Sequence, residues 1–391
     1  MPPARPVQTA LIGLSSSAVT AWAADAHLPV LVNARYKHLF NITALCNSSV
    51  AAAKSAIQTY QLDSSWVRAY GSPEDLAADP AVDLVLCNTR ADKHYETILP
   101  SLRAGKSVYI EWPIASNLTQ IDELVAAFRA STNPLQVAAV GLQGRFSPAV
   151  LKMKELLHSG SLGRLLGTEV TAYAGTQSPD VLSTGLKYFA QKEVGGNPIT
   201  IGFSHLIDWV QSVVGDVVPE TEHVHFQLQH PEIRVRDPRT GELVEKFASD
   251  VPDLLSLHGS LPESSFAVPK ATLVAYFSRG RPFPGDPAIS WTLNCERGTI
   301  RFVSPSSTAL HVNGYEAPIT ITVHQFKANR LEQVPWTWSE AQLEFPLRAR
   351  STQDCLVALV EGNKERYVSL EDGAKRARQT LRWLGSFQGQ K

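Results

Sequence analysis

A glycine followed by small hydroxyl residues at the end of a short apolar run is chemistry suited to holding a phosphate. Here Thr9-Ala10-Leu11-Ile12 leads into Gly13, Leu14, Ser15, Ser16 and Ser17. An apolar run of that length suits one buried parallel strand, and the alanine-rich stretch beyond it has helical spacing. The pattern predicts a strand, a glycine turn and a serine-capped helix, the first βα unit of a dinucleotide-binding domain. Backbone N–H groups at the start of such a helix, with its dipole, are what a pyrophosphate needs, which places it at Leu14 to Ser17. The second and third glycines of the usual fingerprint are replaced by Ser15 and Ala18. The same residues therefore also describe a plain buried strand–helix turn.

A second group sits at the tip of the next apolar run, Phe40 to Cys46, which ends in Asn47-Ser48-Ser49 with Lys54 shortly after. An NAD-type site carries an acid at this tip to bind the ribose hydroxyls. No acid stands there, and small amide and hydroxyl groups suit a 2′-phosphate, so the expectation is NADP in preference to NAD. The alternative is a solvated strand–helix turn.

The elements that must position these groups alternate regularly. Strands are predicted at Val82–Asn88, Ser107–Glu111 and Gln136–Leu142, with helices at Tyr95–Ala104 and Asp122–Ala130. That alternation means a doubly wound parallel sheet. Its ligands belong at the carboxyl ends of the strands, so Gly13, Asn47, Thr89, Glu111 and Gln143 should ring one crevice. Beyond Pro148 a helix, Ala149–Ser159, leads into alternating strands at Gly167–Ala174, His223–Gln229, Ala271–Phe277 and Ser290–Cys295, which read as antiparallel. Two helices, near Ser351–Glu361 and Glu371–Ser386, close the chain. The expected class is α/β: a Rossmann domain over 1–148, then an α+β domain over 149–391 with an open, mostly antiparallel sheet. The closing helices are free to pack back on the first domain.

Charge excludes some partners. Lys plus Arg number 36 against 37 for Asp plus Glu, so no basic field points to nucleic acid or an anionic membrane. Cys46, Cys87, Cys295 and Cys355 have no CxxC spacing, and the histidines show no metal-binding pattern. The expectation is therefore no metal site, no disulfide framework and a reducing compartment. With no apolar run of membrane length and a strand close to the N-terminus, the expectation is a soluble cytoplasmic protein.

The motifs together resemble the family of glucose–fructose oxidoreductase, inositol dehydrogenase and MocA. The resemblance is carried by Gly13-Leu14, HYETILPSLRAGKSVYIEWPIA, GRFSPAVLKMKELLHSGSLGRLLGTEV, GGNPITIGFSHLID, RGTIRF and EGNKERYVSLEDGAKRARQTLR, in order over nearly the whole chain. Within it, GLSSSAVTAWAADAHLPVL, Glu111-Trp112, LQGRFSP and SDVPDLLSLHGSL are similar to the branch of yeast galactose-regulon repressors. The family implies a Rossmann domain, a bound NAD or NADP and a sheet that often forms a homodimer face. The repressor branch implies an activator protein as partner, and a nuclear location if that role holds.

The departures matter as much. The family's Glu-Lys-Pro becomes Glu111-Trp112-Pro113, which removes the catalytic lysine and leaves Trp112 walling the nicotinamide side. The family's Asp-x-x-x-His becomes Ile201-Gly202-Phe203-Ser204-His205. Hydride transfer needs a group to give or take the accompanying proton. The resemblance leaves His205 as first candidate, with Lys187 and Tyr188 second, and implies that His94 lies near the cofactor. Each has a plainer role open to it: His205 and Asp208 as a packed helix pair, His94 as a polar residue at a helix start, Arg145 as a tie between sheet and helix. Three functions remain open at this stage. They are an NAD(P)-dependent oxidoreductase acting on a hydroxyl, carbonyl or imine of a small-molecule substrate, a catalytically silent dinucleotide-binding regulator, and a non-redox enzyme on the same fold.

Overall fold

The computed structural model describes residues 5–15, 17, 20–175 and 178–388. The chain folds into two compact units: 1–143 with 193–196 and 340–381, and 144–192 with 197–339 and 382–391.

The first unit is built on β1 (Val7–Ile12), β2 (Phe40–Cys46), β3 (Arg68–Tyr70), β4 (Leu84–Cys87), β5 (Ser107–Glu111) and β6 (Ala138–Gly141). Their order is β6-β5-β4-β1-β2-β3, all parallel, and Val368–Ser369 pairs antiparallel along the outer edge of β6. Strands covered on both faces must be apolar throughout, and every residue of β4 and β6 is buried. The order reverses between β1 and β4, the switch point at which such sheets bind ligands. Side-chain caps start the helices that follow: Ser49 accepts from the Ala52 N–H, Ser72 from Asp75 and Asn117 from Gln120. Each satisfies one orphan N–H at a helix start.

The first crossover departs from expectation. The helix after β1 begins only at Ala23, as a π-type turn over Ala23–His27 running into Leu28–Leu31, and no side chain caps it. The serines are occupied locally: the Ser17 N–H donates to Ser15 Oγ at 3.2 Å. Short hydroxyl side chains compete with helix nucleation in this way. Ser16 and Ala18 lie outside the described residues.

The second unit carries β7 (Leu165–Ala174), β8 (Val181–Ser183), β9 (His223–Gln227), β10 (Glu232–Arg236), β11 (Leu243–Ala248), β12 (Leu254–Ser260), β13 (Ala267–Arg279), β14 (Ile289–Cys295), β15 (Gly298–Ser304), β16 (Thr320–Gln325) and β17 (Arg330–Gln333). Eight of them form one sheet in the order β17-β16-β15-β14-β7-β13-β12-β9, antiparallel except for the β7–β13 pair. β8, β10 and β11 make a separate small sheet. Burial alternates along β14 and β15, so one face of the large sheet is covered and the other open. The covering helix, Ser204–Val214, brings Trp209 against Trp291 at 5.2 Å between ring centroids, in a core shared with Phe203, Phe277 and Phe302. Edge-to-face aromatic packing of this kind adds to simple area burial.

All four cysteines are buried free thiols. Among the described residues no helix is long and apolar enough to cross a membrane, and no cluster of His, Cys, Asp or Glu could hold a metal ion.

Candidate functional site

At the carboxyl ends of β1, β2 and β4 the first unit has a cavity of about 730 Å³, within the range of small-molecule sites. Gly13, Ser15, Ser17, Asn47, Ser48 and Thr89, all among the expected site residues, line it. Gly13 adopts φ +90°, and a Cβ there would lie 2.9 Å from the Asn88 carbonyl, so only glycine lets the chain pass. Asn47 Nδ2 donates to the Leu14 carbonyl at 2.9 Å and ties the tip of β2 to the glycine loop. Tyr60 holds the same loop through a 3.0 Å hydrogen bond to the Ser15 carbonyl.

Several expected lining residues do other work. The Leu14 side chain is fully buried in the core. Ser49 caps its helix and Lys54 is exposed on that helix, and neither lines the cavity. The lining does include Glu74, from the first turn of Pro73–Ala78, together with Lys93 and Glu96, which pair at 3.0 Å. The cavity therefore holds carboxylates after all, delivered by the helices that follow β3 and β4 rather than by the tip of β2. Ser72 as cap, Pro73 and then Glu74 form a helix-start signature that could have been read from the sequence.

Glu111, His94 and Trp112 do not line this cavity either. The Glu111 carboxylate turns into a buried cluster, 2.6 Å from His27 Nε2, and accepts from Gln143 Nε2 at 2.8 Å. Burial is the largest single influence and pushes its pKa up. Hydrogen bonds from His27, Trp22 and Gln143 and the charge of His27 outweigh it and hold the carboxyl below its usual value. The neighbouring strand makes room only because residue 141 is glycine: a Cβ there would lie 2.2 Å from Glu111 Oε2. Gln143 belongs to this cluster, so the expected single ring of residues divides into a polar cavity and a buried carboxylate site.

His94 is buried, with Nδ1 2.7 Å from the Pro113 carbonyl and Nε2 2.7 Å from that of Thr89. Burial lowers its pKa more than the two carbonyls raise it. Both ring nitrogens are thus engaged by backbone, clamping the turn after β5 to the end of β4. Trp112 is buried beside it, and its bond to Pro113 is cis.

The proposed proton carriers all lie in the second unit, and the structure does not gather them into one group. His205, in the first turn of Ser204–Val214, is buried and stacks on His311 with centroids 3.8 Å apart. Burial pushes its pKa down to about 3, so the ring is neutral at ordinary pH. Arg145 holds Asp208 through two hydrogen bonds of 2.6 and 2.7 Å, and so ties its turn to the helix Ser204–Val214 rather than, as expected, the sheet edge to the helix that follows it. Lys187 is drawn into an ion pair with Glu245, its ammonium 4.9 Å from the centre of the Phe247 ring. Tyr188 packs edge-on against Phe189. Both stand on Thr184–Ala190, which packs on the small sheet.

A parallel sheet in this order, with a polar cavity at its switch point, defines a Rossmann-type nucleotide-binding unit. The chain belongs to the oxidoreductase family with an NAD-binding Rossmann fold that takes in glucose–fructose oxidoreductase, inositol dehydrogenase and MocA; the model of that family matches residues 7–139, and a model of the Gal80p C-terminal domain matches 148–304. It is 30% identical over 358 residues to dehydrogenase aclE of Aspergillus oryzae, covering 90% of this chain and 88% of that protein. It is 26% identical over 267 residues to the galactose/lactose metabolism regulatory protein GAL80 of Saccharomyces cerevisiae, covering 67% of this chain and 59% of that one. Among solved structures, the transcriptional regulator Gal80p of Kluyveromyces lactis superposes with a TM-score of 0.79 at 18% identity, over 97% of this chain and 90% of that one. Levoglucosan dehydrogenase in complex with NADH and levoglucosan gives 0.72 at 16% identity, over 98% and 97%. At such identities the structural likeness concerns the fold.

Proposed function

We propose that the protein binds a nicotinamide dinucleotide in the cavity at β1, β2 and β4 and uses it to oxidise or reduce a hydroxyl, carbonyl or imine of a small molecule. The observation that carries this reading is the cavity itself: a glycine forced to positive φ, then serine hydroxyls and backbone N–H groups, at the sheet's switch point. Ser15, Ser17 and the loop backbone would hold the pyrophosphate, and Ser48 and Glu74 would face the adenosine ribose. When bound, the nicotinamide supplies hydride transfer. The chain's own residues bind and orient it and exclude water, and Trp112 stands where the family has a lysine.

The cofactor preference we propose is NAD, the reverse of what the sequence suggests. Asn47 spends its amide N–H on Leu14, Lys54 is absent from the lining, and Glu74 and Glu96 outnumber Lys93 there. A 2′-phosphate would meet net negative charge.

A second reading has its own observation. His205 is neutral and desolvated and Lys187 is held in an ion pair. A dinucleotide-binding regulator that contacts an activator protein needs neither to move a proton. Both readings are cytoplasmic, the regulatory one extending to the nucleus, and a homodimer formed through the open face of the large sheet suits either. Titration calorimetry with NAD and NADP in both redox states, followed by a turnover screen on alcohols, aldehydes and imines, separates them. Absence of cofactor binding at millimolar concentration sinks both. Tight binding without turnover favours the regulator.

A further inference from the structure

The second unit has a cavity of its own, about 580 Å³, where the ends of β7, β9 and β13 meet β8 and β10 of the small sheet. Its lining contains Arg236, Arg279, Arg281, His230, Tyr173 and Ser178 and, among the described residues, no Asp or Glu. Of the three arginines, Arg279 and Arg236 are the two whose hydrogen bonds the structure describes.

The nearest carboxylates are already engaged. Asp180 takes Arg234 at 2.6 Å and also accepts from Ser178. Asp253, almost fully buried, accepts the backbone N–H groups of Gln229 at 2.8 Å and His230 at 3.0 Å, and the His230 Nδ1–H at 2.5 Å. Arg279 is half-buried, and among the described residues its guanidinium donates one hydrogen bond, to the Val181 carbonyl at 2.8 Å. Burial lowers its pKa while Asp253 and Asp180 act to raise it, and an arginine stays charged under such influences. Arg236 ends β10 with an exposed side chain that, among the described residues, enters no side-chain hydrogen bond or ion pair. A guanidinium has five N–H donors arranged as a fork that fits two oxygens of a carboxylate or phosphate. Arg279 and Arg236 line one cavity with most of their donors unassigned among the described residues, and Tyr173 lines it with them.

We propose that this cavity is a binding site for a small oxyanion, a phosphorylated or carboxylated metabolite gripped by Arg279 and Arg236. It shares no residue with the dinucleotide cavity and does not depend on that reading. A cavity of about 580 Å³ has room for a compact ligand and not for an extended acidic chain.

Titration calorimetry of the full-length protein at low ionic strength, with inorganic phosphate, pyrophosphate and citrate as probes, tests this and separates phosphate from carboxylate recognition. Saturable binding of at least one probe is expected, weakened by added salt. Arg279→Gln and Arg236→Gln should each lower that affinity about tenfold or more, the scale of a lost charge-assisted hydrogen bond. Arg239→Gln, at a nearby arginine that pairs with Asp237 outside the lining, should leave it unchanged. Arg236 is exposed at a strand end, so its substitution remains informative if the Arg279 variant proves unstable. NAD titrations should be the same in every variant, which keeps a failure here apart from a failure of the cofactor reading. The proposal is overturned if no probe binds the wild type at millimolar concentration. It is overturned equally if Arg239→Gln weakens binding as much as the lining variants, or if only an acidic peptide binds.

Discussion

Replacing His205 by phenylalanine tests how this protein handles protons. The ring is buried, stacks on His311, and has a pKa pushed down to about 3 by burial. In the unfolded chain it would titrate near the ordinary histidine value of about 6.5. Between those limits the unfolded state binds the extra proton, so stability rises with pH through this window. His205 therefore contributes stability that is fully present above about pH 6.5 and is lost as pH falls toward 3. Linkage of one such proton predicts a loss of about 2 kcal/mol between pH 7 and pH 5 from this residue alone. His205→Phe keeps a stacking ring and cannot take up a proton, so its acid-side loss should be smaller by about that amount. Urea unfolding at pH 7, 6 and 5, wild type against variant, measures the difference. The same geometry forbids a kinetic limb near neutrality from His205, so any turnover should run flat through pH 6–7 on its account. Parallel stability–pH curves for the two proteins would refute the reasoning, and so would a rate limb near pH 6.5 abolished in His205→Phe, which would return the acid–base role to this residue.

Three further outcomes follow from distances already given. Glu74→Gln should move selectivity toward NADP: removing one charge about 4 Å from a phosphate in a water-like medium is worth about 1 kcal/mol, or roughly fivefold in the affinity ratio. An unchanged ratio would mean that the 2′ position lies elsewhere. Arg145→Gln leaves Asp208 buried without its two hydrogen bonds and should cost about 3–5 kcal/mol in a denaturation midpoint series, with Arg145→Gln/Asp208→Asn recovering part. Gly141→Ala would put a Cβ 2.2 Å from Glu111 Oε2. It should destabilise by about 1–3 kcal/mol or more and, if the cluster supports the strand ends, weaken dinucleotide binding.

The architecture was readable wherever one physical signal dominated. Continuous apolar runs gave β1, β2, β4, β5 and β6, because strands covered on both faces leave no other pattern. The small sheet was not readable: its strands are short, β11 is almost wholly exposed with Glu245 and Lys246 at its centre, and the register of β10 against β11 is set by the turn between them. There the Asp237 side chain accepts the Arg239 N–H at 2.8 Å, and Gly241 adopts φ +76°. The late start of the first helix was hidden for a related reason. Serines are good caps in isolation, and only the loop geometry decides whether they start a helix or bond to one another.

At the site the letters of a motif and its chemistry came apart. Glu111 keeps its expected place at the end of β5, yet its carboxylate faces inward to His27 and Gln143. His94 keeps its place, yet both its nitrogens are taken by carbonyls. Each holds backbone at the strand ends without lining the cavity. The charged residues that line it, Glu74, Lys93 and Glu96, come from the helices Pro73–Ala78 and Ala91–Arg103, which no strand-end rule singles out. A family motif reports which backbone positions must be held. The side chains that neighbouring helices deliver into the cavity, Glu74, Lys93 and Glu96, carry a net negative charge, and the NAD preference proposed above rests on that charge.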